Sequence, residues 1–297
     1  MRALEWIRAS QAILFEASLV PASVGTATAL RAGARFDGVW FVLILTSLVG
    51  IQAGANLFKG FFEGQGRSVG PASSGSWLAF DSGAATKLTR DPRKVLRIGQ
   101  GCFALGAAAG LLLVLLTRNP VLLGFGVAGA ILAWSYSSPP LQLSYRGAGE
   151  ISTFIAFGPI MTIGATIAFG GPGLSESAFA SMVLGFLAAA ISFARYFPNR
   201  AEDASKGKRT PVTILGFERA RRLFLSLMLA PLVVGFGWYL VGGGLLWILA
   251  FLGFAVAILR VFPRNEAMER LERVIAWTLA AHLFVGLAII VDLAAGL

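Results

Sequence analysis

Nine apolar stretches, at 11–30, 38–58, 98–117, 119–138, 151–171, 177–196, 221–241, 243–262 and 274–294, dominate this chain of 297 residues and leave it few ways to fold. A bilayer core about 30 Å thick is crossed by roughly 20 residues of helix. Within lipid a chain must satisfy its backbone hydrogen bonds internally, and stretches this long do so as helices. The expected fold is therefore all-α, a polytopic membrane bundle of about nine transmembrane helices forming one domain over residues 1–297. The first stretch does not read as a cleavable signal, because a second follows within ten residues and Glu16 interrupts its apolar core. Charged residues make up 13% of the chain, roughly half the proportion usual in soluble domains. That excludes a disordered chain and an ordinary soluble enzyme, and a single cysteine excludes a disulfide-stapled domain.

The net charge of +10 is distributed unevenly. With nine spans and the N-terminus inside, Arg31, Arg35 and Arg118 fall on the outer side and the other 22 of 25 basic residues on the inner side. Excess Lys and Arg in short loops marks the cytoplasmic face. The reading is an integral protein of a bacterial or archaeal cytoplasmic membrane, with a cytoplasmic N-terminus and its long polar loops on that side. Orientation and attraction to anionic membrane lipid account for most of the charge. No nucleic-acid-binding module is present. Cys102 reads as a packing residue, and His282 reads as packing or headgroup contact within the ninth stretch.

Three segments on the inner side carry clustered polar residues. The first leaves the second stretch with Gln52 and Asn56 four residues apart, followed at the same spacing by Lys59, Glu63 and Arg67. Such spacing lines up side chains on one helix face, and polar groups at membrane depth usually face a cavity or the bundle interior. The second runs from Tyr136 through Pro139 and Pro140 to Tyr145, Arg146, Gly147, Gly149 and Glu150, then Phe157-Gly158-Pro159. The third places Asn199 and Asp203 one helical turn apart, followed by Lys206, Lys208 and Arg209. Oxygens at this spacing suit Mg²⁺ bridged to phosphate, and the three cations would form a phosphate-binding rim. Each segment also has a plainer reading, as a helix-end ion pair, an inter-helix turn with a snorkelling Arg146, or an ordinary positive loop.

Taken together the segments resemble the UbiA superfamily of intramembrane prenyltransferases, nearest the branch that prenylates dihydroxynaphthoate in menaquinone biosynthesis. The resemblance begins at Ala17-Ser-Leu-Val-Pro21-Ala-Ser-Val-Gly25 and continues through Gln52-Ala-Gly-Ala-Asn56 and Tyr145-Arg-Gly-Ala-Gly-Glu150. It ends in Phe197-Pro198 and Gly207-Lys208-Arg209-Thr210. It implies Mg²⁺ ions on two Asp-rich motifs that hold an isoprenyl diphosphate, whose ionisation gives an allylic cation captured by an aromatic acceptor. On this reading Asp203, Glu63 and Asn199 bind metal, and Asn56 orients that shell or the diphosphate. Lys59, Arg67, Lys206, Lys208 and Arg209 meet the anion, while Tyr145, Arg146 and Glu150 shape the acceptor side.

The first motif departs from the family. Its Asn-Asp pair falls on Lys59 and Gly60, its next Asp on Glu63, and its last near Arg67 or Val69. In the second motif the earlier Asp falls on Asn199. Only Glu63 and Asp203 keep carboxylates, fewer oxygens than two divalent ions require. Two readings stay open. A cation at Lys59 or Arg67 takes the place of a metal and meets diphosphate directly, in a prenyltransferase with an atypical site. Alternatively Lys59, Glu63 and Arg67 form an ion-pair ladder in a non-catalytic relative that binds an isoprenoid, quinone or pigment, or serves as a subunit beside a membrane-protein partner.

Overall fold

The computed structural model describes residues 5–7, 10–64, 89, 91–240, 243–262 and 268–295. Among these, every regular element is helical. After a short 3₁₀ turn at Ala12–Phe15 come α1 (Glu16–Arg31), α2 (Gly38–Gly64), α3 (Pro92–Thr117), α4 (Val121–Ser135), α5 (Gly149–Ala168) and α6 (Leu174–Tyr196). Two short helices follow, α7 (Arg200–Ser205) and α8 (Pro211–Leu215). The chain ends in α9 (Phe217–Leu227), α10 (Ala230–Leu240), α11 (Leu246–Val261) and α12 (Met268–Ala295).

Seven of the described helical segments are long and apolar enough to cross a membrane, with α9 and α10 counted as one. The stretches at 119–138 and 243–262 give shorter helices, α4 and α11. Asn119-Pro120 delays the start of α4, and the Ser137-Ser138-Pro139-Pro140 run stops it early. Its 15 residues rise about 22 Å, less than a hydrocarbon core. Pro231 explains why the seventh stretch is interrupted between Leu227 and Ala230: it lacks an N–H and crowds the carbonyl four residues earlier. Pro159 sits in the same way within a π-turn of α5 at Ala156–Ile160.

α6 is the axis of the bundle. Residues 187–197 are all buried, against α1, α5, α10 and α12. Phe193 and Phe224 meet edge to face at 5.7 Å, and Phe197 meets Phe262 at 5.0 Å. Between α2 and α3 the contact is made by small residues instead. A Cβ on Gly50 would lie 2.8 Å from the Gly106 Cα. Close backbone approach of this kind is the usual basis of helix association in lipid, where burial against a neighbour offers no hydrophobic gain.

An ionisable residue of the first apolar stretch meets one of the ninth. His282 Nδ1 of α12 is 2.8 Å from Glu16 Oε2 of α1, and His282 is fully buried. Packing, the plainer reading of His282, is thus combined with a polar partner.

Candidate active site

A cavity of about 420 Å³ opens between α1 to α6. Most of its wall is apolar, including Ile44, Leu48, Leu113, Phe125 and Met161, and one end is polar, with Gln52, Asn56, Lys59, Tyr136, Ser192 and Arg195. Its size and its few convergent polar groups are those of a small-ligand site.

The i,i+4 spacing on α2 works as expected. Gln52 Nε2 donates to the Leu14 carbonyl at 2.8 Å, and Ser18 Oγ donates to Gln52 Oε1 at 2.6 Å. Asn56 Nδ2 donates to the Ser10 carbonyl at 2.8 Å. These bonds fasten the segment before α1 onto α2 and fix the angle of the next turn, where Lys59 borders the cavity. Glu63, one turn further, is buried. Arg67 lies outside the described residues.

Glu63 does not pair with Lys59. Its Oε2 accepts from Lys208 Nζ at 2.8 Å and its Oε1 from Ser137 Oγ at 3.3 Å. The same ammonium lies 3.3 Å from Asp203 Oδ1 and 5.0 Å from the centre of the Tyr145 ring. One turn accounts for this position. α7 ends at Lys206, and Gly207 takes a left-handed conformation (φ +70°). The N–H of Gly207 then bonds the Ala204 carbonyl at 3.0 Å, and that of Lys208 bonds the Asp203 carbonyl at 2.9 Å. This paired pattern turns the chain back over its own helix, so that Lys208 lands beside Asp203. Thr213 Oγ1 donates to the Lys208 carbonyl at 2.8 Å, and the Arg209 N–H donates to the Tyr145 carbonyl at 3.0 Å.

The electrostatics follow from burial. For Lys208 burial alone disfavours the charge, but Glu63 and Asp203 outweigh it and push the ammonium above its ordinary value. For Asp203 burial dominates and raises the carboxyl above its usual range, because Lys208 only partly offsets it and Glu63 adds repulsion.

The cations grouped by sequence therefore separate in space. Lys208 belongs to the carboxylates, Lys206 pairs with Glu202, and Arg209 is exposed. Arg146 is exposed and donates to the Pro140 carbonyl at 3.1 Å, which is the plainer reading of that residue. Tyr145 lies beneath Lys208. Asn199 caps α7, and its carbonyl accepts from the Asp203 N–H at 2.8 Å. Glu150 of α5 lies near Tyr196 of α6, which in turn lies near Tyr136 of the cavity wall. Gly149 makes room for the Tyr196 phenol, since a Cβ there would sit 2.6 Å from Tyr196 Oη.

Arg195 is the residue that sequence reasoning missed. It is buried, lines the polar end of the cavity, and its guanidinium lies 3.4 Å from Gln11 Oε1. The signal was present, as an arginine one helical step before Asn199 at the end of an apolar stretch.

Among the described residues, Glu63 and Asp203 as placed do not present the oxygens of a two-metal site. Both oxygens of Glu63 and one of Asp203 already take donors, two of those bonds coming from an ammonium. Among the described residues no group of three or more His, Cys, Asp or Glu is placed to hold a metal ion. Mg²⁺ asks for near-octahedral oxygen coordination.

Comparison with known proteins agrees with the helical arrangement. The pattern of the UbiA prenyltransferase family matches residues 70–291. The chain is 28% identical over 240 residues to a 2-carboxy-1,4-naphthoquinone phytyltransferase of Synechocystis, covering 78% of this chain and 73% of that protein. It is 28% identical over 243 residues to a 1,4-dihydroxy-2-naphthoate octaprenyltransferase of Mycobacterium tuberculosis, covering 78% and 77%. A UbiA homolog from Archaeoglobus fulgidus bound to GPP and Mg²⁺ superposes with a TM-score of 0.66 at 17% identity, over 97% of this chain and 99% of that one. An apo UbiA homolog from Aeropyrum pernix does so with 0.66 at 19% identity, over 94% and 97%. These solved structures share the fold. With three quarters of the sequence inside the family pattern and the same fold across its length, the chain belongs to the UbiA prenyltransferase family.

Proposed function

We propose that this protein transfers an isoprenyl chain from a prenyl diphosphate to an aromatic acceptor of the quinone-precursor type, at the cytoplasmic end of its membrane bundle. The observation that carries the reading is the cavity itself. An apolar channel between helices ends on Asn56, Lys59 and Arg195, an arrangement that suits a ligand with a hydrocarbon tail and an anionic head. The naphthoate-prenylating relatives support the acceptor class.

The chemistry is ionisation followed by capture. The bond between the allylic carbon and the diphosphate oxygen breaks, and its electron pair leaves with the diphosphate. A ring carbon of the acceptor then forms the new C–C bond and releases a proton. Lys59 and Arg195 stabilise the departing anion in a site of low dielectric, where such contacts are worth more than in water. Apolar residues of α3, α4 and α5 keep water from the allylic cation. Tyr136 borders the cavity where an aromatic ring would lie.

Purified protein incubated with labelled prenyl diphosphates and dihydroxynaphthoate or hydroxybenzoate tests this. Prenylated acceptor is the expected product, and no turnover with any donor from folded protein contradicts it. A second reading, a non-catalytic isoprenoid- or quinone-binding relative, draws on the same Lys208, which neutralises both remaining carboxylates. A stoichiometric lipid co-purifying with an inactive protein would favour it.

A further inference from the structure

We infer that Ser192 takes the hydrogen bond of a ring hydroxyl on the aromatic acceptor, and that Thr153 holds it in that role. The inference rests on the proposed reading only in putting an aromatic acceptor in the cavity, and it concerns which ring is bound, not turnover.

Thr153 of α5 and Ser192 of α6 are buried, and both line the cavity. Their hydroxyl oxygens are 3.1 Å apart, and Thr153 Oγ1 is also 2.8 Å from the Gly149 carbonyl. A carbonyl only accepts, so Thr153 gives its single proton to Gly149, one helical turn back. The contact between the two hydroxyls is then satisfied when Ser192 donates. That leaves Ser192 Oγ with lone pairs and no proton to offer. A ligand group meeting it must bring the proton, as a phenolic O–H does and a quinone carbonyl does not.

The position suits a ring. Ser192 precedes Arg195 by three residues on α6, which puts it on the same helix face and about 4.5 Å further from the cytoplasmic end. A ring at Ser192 is therefore beside the first carbons of a tail whose diphosphate lies at the level of Arg195. Phe157 and Ile160, in the π-turn of α5, line the same cavity and offer a ring apolar surface. The Phe157-Gly158-Pro159 segment also sets the spacing of the two helices. A Cβ on Gly158 would lie 2.7 Å from the Gly185 Cα of α6, and this close approach lets the short side chains of Thr153 and Ser192 meet. A phenol that donates to Ser192 becomes richer in electrons at the ring carbons, which favours capture of an allylic cation.

The test is calorimetric titration of the full-length protein in nanodiscs, in the presence of geranyl S-thiolodiphosphate, a donor analogue that resists ionisation. The ligands are 1,4-dihydroxy-2-naphthoate and its oxidised form, 1,4-naphthoquinone-2-carboxylate, which keeps the shape and carries carbonyls in place of the hydroxyls. The parent should bind the reduced form about three- to tenfold more tightly, the worth of one neutral hydrogen bond. Ser192→Ala and Thr153→Val should both lose this preference, by opposite routes. Ser192→Ala weakens the reduced ligand and leaves the oxidised one unchanged. Thr153→Val frees the Ser192 proton, so the oxidised ligand binds more tightly and the reduced one as before. A hydroxyl pair that only joined the helices would weaken both ligands in both variants. Affinity for the thiolodiphosphate, expected within about twofold of the parent, recognises a misfolded variant. Equal binding of the two forms by the parent, a preference that survives in Ser192→Ala, no gain for the oxidised ligand in Thr153→Val, or no binding of either form overturns the inference. Failure of prenyl transfer in a parent that keeps the preference counts against the proposed function alone.

Discussion

Lys208 Nζ lies 2.8 Å from Glu63 Oε2, a contact between residues 145 positions apart that ties the turn after α7 to the end of α2. Both side chains are almost wholly buried. Removing one partner of a buried ion pair leaves an uncompensated charge, whereas removing both is often tolerated. Lys208→Gln should therefore destabilise the protein by about 3 kcal/mol or more, and the double variant Glu63→Gln/Lys208→Gln by less. Thermal unfolding of the single and double variants checks this. In Lys208→Gln the freed carboxylates should also make the melting temperature respond to Mg²⁺, which the parent's should not.

Gly207 should tolerate no side chain. Its φ of +70° is the left-handed region, where a Cβ costs about 1–2 kcal/mol. Gly207→Ala is expected to lose about that much stability and to weaken the Lys208 contact with Asp203. Gly207→Asn, a residue that enters this region more readily, should lose less. Unfolding of the two variants side by side makes the comparison.

Gly149→Ala should damage the acceptor side of the cavity. Its Cβ would come within 2.6 Å of Tyr196 Oη, forcing that phenol to shift. Overpacking of this kind costs about 1–3 kcal/mol. The expected outcome is a rise in the acceptor KM with donor affinity preserved, read from transfer assays at varied acceptor and from titration with the thiolodiphosphate.

The Glu16 and His282 pair should matter for stability and not for ligand. It joins α1 to α12 and neither residue lines the cavity. Glu16→Gln, His282→Leu and their combination should show a coupling energy of about 0.5–3 kcal/mol in unfolding. Thiolodiphosphate affinity in Glu16→Gln should match the parent.

Much of this was legible before any coordinates. Apolar stretches long enough to span a bilayer marked the helices, because hydropathy at that length has one structural solution in lipid. The positions where the structure departs from that reading, the short α4 and the break before Ala230, lie at Pro139-Pro140 and Pro231, which end or interrupt helices that hydropathy alone leaves continuous. In the site, the i,i+4 spacing of Gln52, Asn56, Lys59 and Glu63 was enough to put them along one face. Lys208 was harder. It stood among Lys206 and Arg209 as one cation of three, and only the left-handed turn at Gly207 separates it from them. Arg195 hid behind an apolar helix, and Glu16 gave no hint of His282, since pairing across 266 residues is set by packing that local sequence does not encode. The ladder of Lys59, Glu63 and Arg67 falls partly outside the described residues, and at Glu63 the hydrogen-bonded ammonium is Lys208, from elsewhere in the chain.

The account turns on what lies at the polar end of the cavity. A density map of the protein with bound geranyl S-thiolodiphosphate tests it most directly. The account predicts the hydrocarbon tail in the cavity between α2 and α5, the diphosphate within hydrogen-bonding distance of Lys59 and Arg195, and Lys208 still bridging Glu63 and Asp203. A diphosphate bound elsewhere, or held through metal on Glu63 and Asp203 with Lys208 displaced, would contradict it.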